Sequence, residues 1–227
     1  MLHSRRSLLL AGGVAGAGLL VGASPAPAAD PAPVTPGAAL ARLLAGNQRF
    51  LTGHARHPHQ TLADLHELAA GQHPFAITVG CADSRVSPEV LFDQGLGDIF
   101  DNRVAGNIVD DLLLGSTEFA VEEFGTPLIV VLGHERCGAI NATIDAIETG
   151  ATAPGHIGTI VDALRPVVEP ILDHPGDVVD NAVRANVRAQ VSALLRRSEP
   201  IAAHVRAGTL RVVGARYDLD TGAVTLV

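Results

Sequence analysis

Three side chains of this sequence can hold a metal ion and stand at spacings that let them meet: Cys81, His134 and Cys137. Cys81 follows directly on the apolar run Phe75–Gly80, and His134 follows directly on Leu128–Gly133. Cys137 comes three residues after His134, a separation of about one helical turn that lets both side chains converge. Two thiolates and an imidazole form a zinc donor set, and three protein ligands leave a fourth position open, the catalytic rather than the structural pattern. The alternatives at this point are a Cys81–Cys137 disulfide or two inert buried thiols. Cys81 also opens the run Cys81-Ala-Asp83-Ser-Arg85, which sets a carboxylate and a guanidinium at the same strand end. By itself that pair reads as well as a structural ion pair.

Such residues need a frame. Short β-branched runs over Phe75–Cys81, Ile99–Val104, Leu128–Gly133, Leu210–Gly214 and Ala223–Val227 predict five strands. The Leu128 run is continuously apolar, as in a strand covered on both faces. Helical periodicity covers Pro36–Leu51, Thr61–Ala70, Val109–Phe124, Cys137–Glu148, Ile157–Leu172 and Asp177–Val205. Alternating strands and helices predict an α/β domain with a mostly parallel central sheet of four strands. The turn signal Asp218–Gly222 predicts that the fifth strand is an antiparallel edge. In such a sheet, ligands collect at the carboxyl ends of the strands, where both cysteines and His134 fall.

Composition narrows the function classes. The chain has 227 residues, 47% of them hydrophobic, enough for one domain with a sizeable core, and there is no internal repeat. A net charge of −8 argues against a nucleic-acid backbone or an anionic membrane surface as partner. Two cysteines rule out a disulfide-dense scaffold. Residues 1–29 carry Arg5 and Arg6, an apolar Gly-rich stretch of 16 residues from Leu8 to Ala23, and small residues around Ala26-Pro-Ala28, the layout of an export signal. The stretch is short for a membrane span of about 20 residues. Ser4-Arg-Arg-Ser-Leu-Leu9 resembles a twin-arginine leader, the export route of folded proteins. Residues 30–36 read as a Pro/Ala linker and 37–227 as the catalytic domain; without the leader, and so without Arg5 and Arg6, the chain carries −10.

Taken together, Cys81-Ala-Asp-Ser-Arg85 and His134-Glu-Arg-Cys137-Gly138, with 53 residues from Cys81 to His134, resemble the paired signature of the β-class carbonic anhydrases. The resemblance continues through Arg103-Val-Ala-Gly-Asn107, Gly115–Ala120 and Gly214–Asp218 and covers roughly residues 38–227. It implies one Zn²⁺ per subunit on Cys81, His134 and Cys137, and reversible hydration of CO₂ to bicarbonate and a proton by attack of zinc-bound hydroxide. It implies that Asp83 accepts a hydrogen bond from that hydroxide and that Arg85 holds Asp83 in place. It implies that Gln72 donates to substrate across a subunit interface, that Phe100, Ala105 and Phe119 line an apolar CO₂ pocket, and that the Gly138 amide supports an anionic intermediate. It further implies a homodimer or an assembly of dimers, with the helix from Pro36 to Leu51 wrapping the neighbour.

A subset of the family closes its zinc site with the Asp and carries a bicarbonate pocket of Trp, Arg and Tyr. Arg103 and Tyr217 stand at the matching positions, but the Trp position is Thr78 and the chain has no Trp. The expectation is therefore an open site with Asp83 paired to Arg85. The rival readings are a related zinc hydrolase acting on CS₂ or COS and a zinc-binding protein of low turnover. His54, His57, His59, His66 and His73 read as a solvated stretch, and His156, His174 and His204 have no matching partners. Glu135 and Arg136, between two of the ligands, read as free to vary.

Overall fold

The computed structural model describes residues 34–227; the leader and most of the linker lie outside the described residues. Thr35 caps α1 (Pro36–Leu51) by accepting from the Ala38 amide, and Pro36 takes the first helical position, where a missing N–H costs nothing. A reciprocal Thr61–Asp64 capping box opens α2 (Leu62–Leu68). The chain then runs through β1 (Ala76–Gly80), a one-turn α3 (Pro88–Leu91), β2 (Ile99–Arg103) and a 3₁₀ turn at Ala105–Asn107. It continues through α4 (Asp111–Phe124), β3 (Leu128–His134), α5 (Gly138–Thr149), α6 (Ile157–Val168), α7 (Val178–Arg197), α8 (Glu199–Ala207), β4 (Arg211–Tyr217) and β5 (Val224–Leu226).

The strands form one sheet in the order β2-β1-β3-β4-β5. The first four are parallel, and β5 runs antiparallel to β4 as the edge. This is the mixed α/β sheet that the alternation of runs predicts. The central strand β3 is buried along its whole length. Its Leu128, Val130 and Leu132 pack with Leu43, Phe92 and Val213, while Ile129 and Val131 pack on the opposite face with Ile77, Val121 and Val187. The alternation of side chains along a strand thus divides one apolar run between two cores.

Two long helical patterns break where proline requires it. The stretch read as Asp177–Val205 divides at Ser198, which is extended and caps α8 by accepting from the Ile201 amide; Pro200, without an N–H, sits in the first turn of that new helix. The stretch read as Ile157–Leu172 ends its α-helix at Val168, and Glu169-Pro-Ile171 tightens into a 3₁₀ turn. Strand β4 runs on to Tyr217, beyond the Gly214 expected from its apolar run, because it stays in register with β3 through His134↔Tyr217.

Helix α7 lies close on β3 and β4 because two glycines allow it. A Cβ on Gly133 would stand 2.5 Å from Val187 Cγ2, and one on Gly214 would stand 2.6 Å from Val187 Cγ1. Gly133→Ala must therefore lift the helix from the strand that carries His134. It is expected to lower stability by about 1–3 kcal/mol through overpacking, read by urea unfolding. A variant as stable as the parent would show that the contact is slack.

Candidate metal centre

Strands β1 and β3 are adjacent and parallel, and the chain leaves β1 toward β2 on the other side. The loops after β1 and β3 therefore diverge and open a crevice at their carboxyl ends, the usual place for a ligand in an open α/β sheet. Cys81 is the first residue beyond β1, His134 is the last of β3, and Cys137 is the N-cap of α5. Their ligand atoms lie within 4.8 Å of one another. All three residues are buried, and both cysteines are free thiols.

The surroundings favour negative sulfur and a neutral ring. The amides of Gly106 and Asp83 hydrogen bond to Cys81 sulfur, that of Gly106 at 3.4 Å. The amides of Ala139 and Ile140, in the first turn of α5, do the same for Cys137. The Cys137 thiol donates to Cys81, which holds the Cys81 thiol far below its ordinary range against the desolvation of burial; the two amides add to the effect. Cys137 is correspondingly raised by the shared proton, by burial and by the thiolate beside it. His134 Nδ1 lies 2.9 Å from the Glu135 carbonyl oxygen. A carbonyl only accepts, so Nδ1 is assigned the proton and Nε2 the lone pair. That Nε2 is buried without a hydrogen-bond partner among the described residues.

A buried nitrogen with no hydrogen-bond partner, facing two buried cysteine sulfurs, is electrostatically incomplete. A divalent cation would complete it, taking the Nε2 lone pair and letting both sulfurs ionise. Two sulfurs and one imidazole nitrogen fit zinc rather than magnesium or calcium, which prefer oxygen.

Asp83 stands at the rim of this cluster, with Oδ2 3.9 Å from His134 Nε2. Arg85 grips it with two side-chain bonds, Nε to Oδ1 at 3.0 Å and Nη2 to Oδ2 at 2.8 Å, and adds its own amide at 2.9 Å. Those bonds hold the Asp83 carboxyl well below the usual carboxylate range, so it is an acceptor at any ordinary pH. Arg103, at the end of β2, donates to the carbonyls of Cys81 (2.9 Å) and Asp83 (2.6 Å) and so fastens the loop that carries both. Tyr217 is buried beside His134 in the sheet register, and the Thr78 hydroxyl donates to Asp101.

The remaining expected site residues are placed differently. Ala105 is half-buried in the 3₁₀ turn whose Gly106 amide reaches Cys81. Gly138 is the exposed first residue of α5, next to Cys137. Phe100 pairs with Ile77 toward the amino end of the sheet, and its ring meets Phe119 and Phe124 at 6.4 and 6.0 Å. Phe119 is 54% exposed. Gln72 is exposed and precedes β1, so the strand separates it from Cys81. Within one chain, Gln72, Phe100 and Phe119 do not reach the cysteines.

Three supports have no signal in motif spacing. Gly106, at φ 77°, adopts the left-handed turn that aims its amide at Cys81. Its carbonyl is held from α7 by Asn186 (2.8 Å), which in turn accepts from Gln190 (2.8 Å). Glu135 and Arg136, read as free to vary, are both committed to the β4–β5 turn: Glu135 accepts from the Leu219 amide, and Arg136 forks onto Asp220.

Residues 76–224 match the protein-family model described as carbonic anhydrase. The chain is 43% identical over 193 residues to carbonic anhydrase 2 of Mycobacterium tuberculosis, spanning 84% of this chain and 92% of that protein. It is 42% identical to a carbonic anhydrase of Mycolicibacterium smegmatis, spanning 84% and 93%. Among solved structures, a Coccomyxa β-carbonic anhydrase in complex with acetazolamide matches with TM-score 0.64 and 29% identity, over 83% of this chain and 86% of that one. A structure from a report of two tetrameric β-carbonic anhydrases of Sordaria macrospora matches with TM-score 0.66 and 25% identity, over 83% and 96%.

The Asp83–Arg85 geometry fixes a sign. Because the folded-state pKa lies below the unfolded value of about 4, the pair is complete above that pH and is lost only as pH falls below it. The Asp83 carboxyl carbon should therefore show no titration by NMR between about pH 5 and 8. A midpoint inside that interval would contradict the clasp.

Proposed function

The chain belongs to the carbonic anhydrase family, and from that premise we propose that it hydrates carbon dioxide reversibly to bicarbonate and a proton at the Cys81–His134–Cys137 centre. The observation that carries the assignment to this site is the buried, partnerless Nε2 of His134 facing two cysteine sulfurs. Cys81, His134 and Cys137 would hold one zinc ion per chain, and the zinc supplies the Lewis acidity that makes water a nucleophile near neutral pH.

The chain's own residues do the rest. Two thiolates nearly cancel the ion's charge, so orientation of the reacting water matters more here than beside three histidines. Asp83, ionised and unable to donate, accepts the water's proton-bearing hydrogen bond and so turns an oxygen lone pair toward the carbon of CO₂. Arg85 prevents Asp83 from rotating into the cluster and taking the place of water. Amides at the start of α5, that of Gly138 among them, favour the developing negative charge of the product. Ala105 supplies part of the apolar wall that CO₂, which has no charge, requires; Phe100 and Phe119, which do not reach the cysteines of their own chain, would complete that wall only from a second copy. Gln72 lies on the far side of β1 from its own Cys81, so its contact with substrate needs a second copy of the chain; we assign a homodimer or an assembly of dimers.

Stopped-flow CO₂ hydration with zinc content measured on the same sample tests this. The zinc-loaded protein should hydrate CO₂, a chelator should abolish the activity, and added zinc should restore it. Asp83→Asn should keep its zinc and lose about 10–100-fold in kcat. Full zinc without CO₂ hydration at pH 7 or above pH 8 would move the assignment to CS₂ or COS, or to a protein that binds zinc without turnover.

We also propose export of the folded, zinc-loaded protein by the twin-arginine route, on the Ser4–Leu9 run. That route would protect the two thiols from oxidation before the metal arrives. Replacing Arg5 and Arg6 together by lysine should leave the protein in the cytoplasm; continued export would refute the route.

A further inference from the structure

The two residues between His134 and Cys137 contribute no ligand atom, yet their side chains are fixed in place. We propose that Glu135 is a positioning residue: held by the Leu219 amide and Arg216, it sets the ring of His134 before a metal binds and thereby sets how tightly the centre holds zinc. The inference rests on the metal-centre reading given above.

His134 is oriented through its Nδ1 contact with the carbonyl oxygen of Glu135, at 2.9 Å. The direction of Nε2 therefore depends on the plane of the peptide between Glu135 and Arg136. Three sets of contacts hold that peptide, two of them linked because Arg136 also stands 3.5 Å from the Glu135 carboxylate. The Glu135 amide donates to the Tyr217 carbonyl at 2.9 Å. The Glu135 carboxylate accepts from the Leu219 amide at 3.0 Å and meets Arg216 at 3.5 Å. Arg136, at φ 51°, donates twice to Asp220, at 2.9 and 2.7 Å. A non-glycine residue keeps a left-handed conformation only where its surroundings hold it there.

The anchor is itself rigid. The Arg216 side chain is 11% exposed and is gripped by Asp180 of α7 and by Asp218 at 2.9 Å. The β4–β5 turn thus serves as a template for the ligand-bearing turn, although the two are more than eighty residues apart in sequence. Metal-bound histidines are commonly oriented through the nitrogen that does not bind, and losing the partner of that nitrogen costs metal affinity. Here that partner is a backbone carbonyl, so no side-chain substitution removes it directly. What a substitution removes is the clamp on its peptide.

The test measures zinc affinity by chelator competition, together with the visible spectrum of the cobalt-substituted protein, for the full-length parent, Glu135→Ala and Glu135→Gln. Glu135→Ala should weaken zinc binding by about 10–100-fold and shift the cobalt ligand-field bands, whereas Glu135→Gln, which keeps an oxygen for the Leu219 amide, should stay within about threefold. Parental affinity and spectrum in Glu135→Ala would overturn the proposal. So would an equal loss in Glu135→Gln, because the effect would then be one of charge. Should Glu135→Ala fail to fold, Asp220→Ala decides: its side chain is 69% exposed, and releasing Arg136 should weaken zinc by about 2–5-fold, while parental affinity there would overturn the proposal. If the parent itself binds no zinc, the metal-centre reading fails and this inference fails with it; parental zinc binding with insensitive variants defeats this inference alone.

Discussion

Two thiols and an imidazole nitrogen face one another in a buried space, and without a cation they cannot all be satisfied. Contact between the two sulfurs holds Cys81 low and Cys137 high, and His134 Nε2 is buried with no hydrogen-bond partner among the described residues. Burying polar groups in this condition costs stability. The supports around them all favour the same resolution, which is negative sulfur and a neutral ring. Amides of Gly106, Asp83, Ala139 and Ile140 converge on the sulfurs, and the Glu135 carbonyl holds the proton of the ring on its outer nitrogen. A site arranged in this way is suited to a soft or borderline divalent ion.

The sheet makes that convergence possible. Cys81 and His134 are brought together because β1 and β3 are neighbours that end at the same edge while their following loops separate. Helix α7 then braces the edge from behind. It approaches closely over Gly133 and Gly214, and its buried Asn186 and Gln190 hold the Gly106 turn against Cys81. Asp83 is left at the rim, where Arg85 has 54% of its side chain exposed and restrains the carboxylate without burying a charge pair.

Much of this was legible in the residues. Hydrophobic period placed all five strands, and α1 begins and ends where its pattern does, because Pro36 and the Leu40–Leu43–Leu44 spacing are strong local signals. The meeting of Cys81, His134 and Cys137 was legible because cysteines are rare in this chain and both stand near strand ends. Local signals failed where a distant partner decides. Ser198 and Pro200 divide a helix whose apolar period runs on without a break. The Ala105–Asn107 turn depends on Asn186 of α7, some eighty residues away. Glu135 and Arg136 look like ordinary solvated charges in sequence, because their partners Leu219, Arg216 and Asp220 become neighbours only when β4 pairs with β3.

X-ray absorption at the zinc edge of the metal-loaded protein tests the centre most directly. The shell should hold two sulfurs at about 2.3 Å, one imidazole nitrogen at about 2.0 Å and one further oxygen at a similar distance, four ligands in all. A shell with fewer than two sulfurs or with no imidazole would contradict it, because Cys81, His134 and Cys137 would then not be the residues that hold the ion.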